Sequence, residues 1–265
     1  MQAKQWNEQG FFLLENVIGP EIIDRLAREI DPLEEKAEAF LRTQEDQRFH
    51  IARADEITFT THVVKQSTFV KEFLKSGLFV DLCLDLIGDD TRLYWDQAVY
   101  KKPDTPQEFP WHQDNGYNFV LPQDYLTCWI PVTDTTRENG CPWVAPGVHK
   151  VGTLHHWWTE LGFECLKDVK DALPVEAKAG DIVIFSSLTP HRTGPNLTDT
   201  VRKAYIAQYA HDGSTMFPRE GRQNIRQNSA ERQFLITKGG RPVPSPGVQD
   251  RQDDCVNSSS PFPSG

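Results

Sequence analysis

Between Pro20 and Leu41, Ile22, Ile23, Leu26 and Ile30 recur at intervals of three and four with charges between them. That spacing predicts an amphipathic helix, kinked or ended at Pro32 because proline removes a backbone donor. A second helix is expected across "STFVKEFLKSGLFVDLCLDLIG", capped by Ser67 or Thr68 and followed by Gly88. Ahead of both, "GFFLLENVI" reads as a short strand. After Asp90 the period changes. "TRLYWDQAVYKK", "DYLTCWIPVTD", "CPWVAPG", "LPVEAKAGDIVIFSS" and "VRKAYIAQYA" are runs of strand length between turn residues. The pattern predicts a mainly β fold with α: a double-stranded β-helix (a cupin-like jelly roll) flanked by N-terminal helices. One domain is expected over residues 1–220, with a helical front to about 90 and a jelly-roll core over about 91–215. Residues 221–265 are polar and predict an extension ending in a flexible tail.

Composition narrows the partners. A net charge of −10 argues against nucleic acid and anionic membrane. No apolar run reaches the roughly 18 residues of a membrane span. The N-terminus lacks a basic, then apolar, leader. Five cysteines without a C-x-x-C pair read as reduced thiols. The expectation is a cytoplasmic protein, monomer or weak dimer, acting on a small molecule.

The candidate chemistry starts at "PWHQDNGYNF", residues 110–119. On an extended segment, His112 and Asp114 share a face and Gln113 points away. An imidazole and a carboxylate side by side occupy two neighbouring positions of an octahedral metal, and iron(II) takes another histidine as the third. His191, after the apolar run "DIVIFSS", is the best placed. Taken alone, an H-x-D pair is more often a solvated loop or a local hydrogen-bonded pair.

The wider pattern separates these readings. "WHQD", "CWIPVTDTTRENGCPWVAPGVHK" and "GDIVIFSSLTPHRTGPNLTDTVRKAY" together resemble the phytanoyl-CoA dioxygenase family, as does the opening "QWNEQGFFLLENVIGPEIIDRLAREI". The likeness runs in family order over most of residues 5–210, and departs from it at Val148, where a hydroxyl residue is usual. It implies Fe(II), 2-oxoglutarate as cosubstrate and O2. It also implies hydroxylation of an unactivated C–H bond, with release of succinate and CO2. A carboxylate at Asp114 is what the resemblance implies for hydroxylation or desaturation; halogenating relatives have a small residue there.

Arg202, eleven residues past His191, matches the family's cation for the far carboxylate of 2-oxoglutarate. Alternation supports a buried position: Arg202 shares its face with Ala204 and Ile206, opposite Lys203 and Tyr205. Thr193 matches a supporting hydroxyl and Gln97 an amide near the near carboxylate, while Thr127 and Trp129 share a face that could complete the pocket. Substrate contacts are expected among Tyr117, Asn118, Trp143, Arg53 and His62. His149 reads as structural, and the "LHHWWTE" segment as a lid or surface segment. Two rivals stay open: a metal hydrolase or isomerase that uses no cosubstrate, and a non-catalytic binding protein of the same fold.

Overall fold

The computed structural model describes residues 2–218 and 223–244. Its helices are α1 (Gln2–Gln9), α2 (Pro20–Arg42), α3 (Thr68–Phe73), α4 (Gly77–Leu86) and the single turn α5 (Asp114–Tyr117). The first strands are β1 (Phe11–Leu14), β2 (Arg48–Phe49), β3 (Ala52–Arg53), β4 (Ile57–Thr61) and β5 (Thr91–Lys101). Next come β6 (Phe109–His112), β7 (Phe119–Leu121), β8 (Leu126–Pro131), β9 (Pro142–Val144), β10 (Trp157–Thr159), β11 (Gly162–Glu164) and β12 (Leu173–Pro174). The last are β13 (Ile182–Ser186), β14 (His191–Thr193), β15 (Arg202–His211), β16 (Thr215–Phe217), β17 (Ile225–Arg226), β18 (Leu235–Lys238) and β19 (Arg241–Pro242).

A large sheet runs β1-β13-β8-β15-β5-β4-β3-β2 and faces a small one, β12-β9-β14-β6. Every pairing in both is antiparallel. This is the expected jelly roll. Side chains alternate along β15, so Ala204 and Ile206 face the space between the sheets while Tyr205 and Tyr209 face the helices. On the helical side Leu26 and Ile30 of α2, Val63, Leu74 and Phe79 are fully buried. Each such side chain contributes on the order of 1.5–3 kcal/mol relative to exposure.

Several elements differ from the sequence pattern. Helix α2 continues through Pro32. Burial of Leu26 and Ile30 before it and Leu41 after it outweighs the missing backbone bond. The second predicted helix is two: Ser67 does cap α3, its Oγ accepting from Val70 N at 3.1 Å. The chain then breaks at Ser76, which is extended ahead of Gly77, both poor helix formers. The front is also not purely helical. Strands β2 to β4 extend the large sheet along β5, and β1 closes its other edge on β13.

The polar stretch after residue 220 does not leave the fold at that point. Strand β18 pairs with β5, and Phe234 and Ile236 are buried in the main core. The predicted flexible tail beyond residue 244 lies outside the described residues. Among the described residues, no helix is long and apolar enough to cross a membrane.

Candidate metal centre

Strand β14 pairs with β6 so that His191 stands opposite His112, with ring centroids 4.2 Å apart. Each imidazole is held from behind. His112 Nδ1 lies 2.8 Å from Pro110 O, and His191 Nδ1 lies 3.0 Å from Thr189 O. A carbonyl only accepts, so each Nδ1 carries the proton and donates, leaving the Nε2 lone pair to face the cavity. Burial pushes the two imidazoles down, His112 to about 3 and His191 to about 4. Both are therefore neutral near pH 7, the form in which histidine binds a metal.

Asp114 arrives by a short extended step. Gln113 is extended (φ −105°, ψ 142°), and the chain then turns into α5. The same-face relation predicted for His112 and Asp114 holds across that step, although Asp114 opens a helical turn rather than continuing a strand. Asp114 Oδ1 lies 3.9 Å from His112 Nε2 and 3.7 Å from His191 Nε2. These separations are too long for hydrogen bonds. The three donor atoms nevertheless lie within 4.8 Å of one another, so one ion can touch all three. The other carboxylate oxygen, Oδ2, accepts from Thr127 Oγ1 at 2.6 Å. Burial pushes the Asp114 carboxyl up, opposed by His112, Thr127 and Gln208. Two neutral imidazoles and a carboxylate fit a mononuclear, non-haem iron(II).

Gln113, pointing away as expected, clamps the loop from the far side. Its amide donates to Gly152 O and Leu188 O and accepts from Leu154 N. The backbone N–H of Gln113 donates to His156 Nε2 at 3.0 Å, and His156 Nδ1 is tied to Leu154 O at 2.9 Å. His156 is thus a buried brace for the H-x-D loop, not part of an exposed lid. An added Cβ on Gly116 would lie 2.0 Å from His156 Nε2. We expect Gly116→Ala to cost about 1–3 kcal/mol by overpacking. A thermal melt should show this as a fall of roughly 2–12 °C. An unchanged midpoint would contradict the brace.

Arg202 opens β15 on the inner face, 1% exposed. Its guanidinium lies over the Trp129 ring, 5.6 Å from the centroid, and its one hydrogen bond is a long 3.5 Å contact from Nη1 to Val99 O. Nε and Nη2 have no partner. Burial lowers its pKa to about 10, so it remains a cation. Upstream, Asn196 is buried and donates to Lys101 O, Lys102 O and Thr200 O, fixing the loop that delivers Arg202. Lys203 takes the opposite face and pairs with Asp31 at 2.8 and 2.9 Å.

A narrow cavity of about 60 Å³ joins Arg202 to His112, Asp114 and His191 between the sheets. Gln97, Thr127, Trp129 and Thr193 also line it. Thr127 is committed to the Asp114 carboxylate, so it orients the carboxylate as well as lining the pocket. Gln208, whose Nε2 lies 3.4 Å from Thr127 Oγ1, belongs to the same group. It was not among the expected residues, although it shares the face of Arg202 and Ile206.

A second cavity of about 340 Å³ also reaches His112 and Asp114 and is lined in part by Tyr117, Asn118 and Gln97. The remaining expected substrate residues fall elsewhere. Trp143 packs under the Arg192 guanidinium, 5.0 Å from its ring centroid, on the outer face of β14. Arg53 donates to Glu160 O at 3.0 Å and pairs with Glu56. His62 packs edge-on against Trp95, with centroids 4.4 Å apart. Val148 opens a short 3-10 turn whose left-handed cap is Gly147 (φ 78°), and no side-chain hydroxyl is used there.

Comparison with known proteins agrees with this geometry. The family model described as "Phytanoyl-CoA dioxygenase (PhyH)" matches residues 6–204. A probable phytanoyl-CoA dioxygenase of Caenorhabditis elegans is 27% identical over 233 residues, 80% of this chain and 75% of that protein. A methylphosphonate hydroxylase of Gimesia maris is 30% identical over 151 residues, and the match spans 57% of each. The phytanoyl-CoA dioxygenase of Arabidopsis thaliana is 29% identical over 141 residues, and the match spans half of its length, 50%. Among solved structures, the non-heme alpha ketoglutarate dependent carbocyclase SnoK from nogalamycin biosynthesis superposes with a TM-score of 0.71. At 21% identity, over 89% of this chain and 95% of that one, it shows a shared fold. With the family pattern spanning three quarters of its length, from α1 to β15, the chain belongs to the phytanoyl-CoA dioxygenase family.

Proposed function

We propose that this protein is an iron(II)- and 2-oxoglutarate-dependent oxygenase that hydroxylates a small-molecule C–H bond. His112, Asp114 and His191 hold the iron in this reading, and Arg202 holds the far carboxylate of 2-oxoglutarate. The observation that carries it is the buried guanidinium, with Nε and Nη2 unpartnered, in the same cavity as the three donors. A buried charge without a partner costs several kcal/mol. Arg202 is therefore matched by an anion that enters with the cosubstrate, and its planar fork suits a carboxylate.

Iron(II) bound there would supply dioxygen activation coupled to oxidative decarboxylation of 2-oxoglutarate. The chain itself positions and excludes. Pro110 O and Thr189 O fix both imidazole tautomers, Thr127 orients the Asp114 carboxylate, and Trp129 and Phe185 line the cavity with apolar surface. The described cysteines, Cys83, Cys128, Cys141 and Cys165, are free and buried, which supports a reducing compartment such as the cytoplasm.

A metal hydrolase or isomerase on this scaffold has no use for a buried cation beside the metal. The two readings separate in one assay. Purified protein with iron(II), oxygen and 2-oxoglutarate is expected to release succinate, and to stop when any of the three is withheld. Metal-dependent turnover of a substrate without 2-oxoglutarate or oxygen would favour the hydrolase or isomerase.

A further inference from the structure

We infer that the substrate seated beside the metal is an uncharged, predominantly apolar small molecule, an inference that rests on the oxygenase reading above. The 340 Å³ cavity shares His112 and Asp114 with the narrow cavity but does not include Arg202 in its lining. Its wall is aromatic and aliphatic, with Phe49, Ile51, Phe59, Trp95, Phe109 and Tyr117 among its lining residues. Its hydrogen-bonding groups beyond the metal ligands are neutral ones, among them Thr61, Tyr94, Gln97, Asn118 and Gln208.

Among the described residues, no lysine or arginine lines it. The two nearest arginines in sequence, Arg48 and Arg53, are outside this lining and donate to Glu160 O at 3.4 and 3.0 Å. The fixed charge within the wall is the Asp114 carboxylate, and the chain as a whole carries −10. With the charge of a bound iron(II) met by Asp114 and the cosubstrate, an anionic head placed in this cavity would lose its hydration with no lysine or arginine among the described lining residues to replace it. The contrast with the other cavity is direct: there the fold buries an arginine for an anion, and here it supplies none. A phosphonate, the group in the name of one relative, is thus a poor fit to this wall.

The mouth is the hairpin of β2 and β3. Phe49 is 51% exposed there and packs against Phe40, while His50 holds a left-handed φ of 52° at the turn. An apolar entrance of this kind favours an apolar guest.

The test is a matched pair of probes, 3-phenylpropan-1-ol and 3-phenylpropylphosphonate. Both are titrated calorimetrically into protein holding iron(II) and 2-oxoglutarate under anaerobic conditions. The alcohol is expected to bind at least about tenfold more tightly, because the phosphonate must be desolvated without a counter-charge. Ile51→Trp, which fills the cavity near its mouth, is expected to weaken the alcohol by a similar factor. Equal or tighter binding of the phosphonate would overturn the inference, as would an alcohol affinity indifferent to Ile51→Trp. Succinate release without either probe is measured separately. Its failure counts against the oxygenase reading, whereas the two binding comparisons decide the substrate class.

Discussion

Arg202→Ala is expected to raise the 2-oxoglutarate concentration needed for half-maximal succinate formation by at least about thirtyfold. Truncating one partner of a buried, hydrogen-bonded charge pair costs about 2–5 kcal/mol, and each 1.4 kcal/mol is a factor of ten. Arg202 is 1% exposed, with Nε and Nη2 unpartnered, so in the proposed reading the cosubstrate carboxylate would take up this unused capacity. Lys203 cannot substitute. It lies on the opposite face of β15 and is already paired with Asp31. Arg202→Lys should fall between wild type and the alanine variant, since lysine keeps the charge but loses the fork. Iron affinity should change little, because Arg202 is not a ligand. An alanine variant that titrates like wild type would place the anchor elsewhere.

The part of the site that was legible in the sequence followed from alternation. His112, Asp114, Arg202 and Trp129 each sit on strands or extended steps, where parity assigns a face, and each faces the space between the sheets. Gln208 obeys the same rule and was open to the same argument. The misplaced residues share the opposite property. Trp143 lies on the small sheet, and the parity of β9 sends it outward with Arg192. Arg53 ends the two-residue β3 and His62 follows β4, and with positive φ at Asp55 and His62 no period carries over between them.

His156 could not be read from pattern at all. Its role depends on a contact with Gln113 across 43 residues, which only the fold supplies. Similar reasons govern the elements. The jelly roll was visible in the recurrence of short apolar runs. The break at Ser76 and the continuity at Pro32 depend on local propensity set against tertiary burial, and the pattern of apolar positions does not weigh the two.

The chemistry rests on His112, Asp114 and His191 holding one iron(II), and anaerobic iron titration of wild type against His112→Ala/Asp114→Ala tests it most directly. His112 Nε2 and Asp114 Oδ1 stand 3.9 Å apart, too far to bond each other, and although Asp114→Ala removes the Thr127 contact, the bracing contacts of Gln113 and His156 are independent of both side chains. The double variant should therefore fold, which its circular dichroism will report. With His191 alone remaining, affinity should fall by more than the 10–100-fold typical of losing a supporting residue. Wild type is predicted to bind one equivalent of iron(II), and the variant none that survives desalting. A folded variant that still holds one equivalent would contradict this assignment.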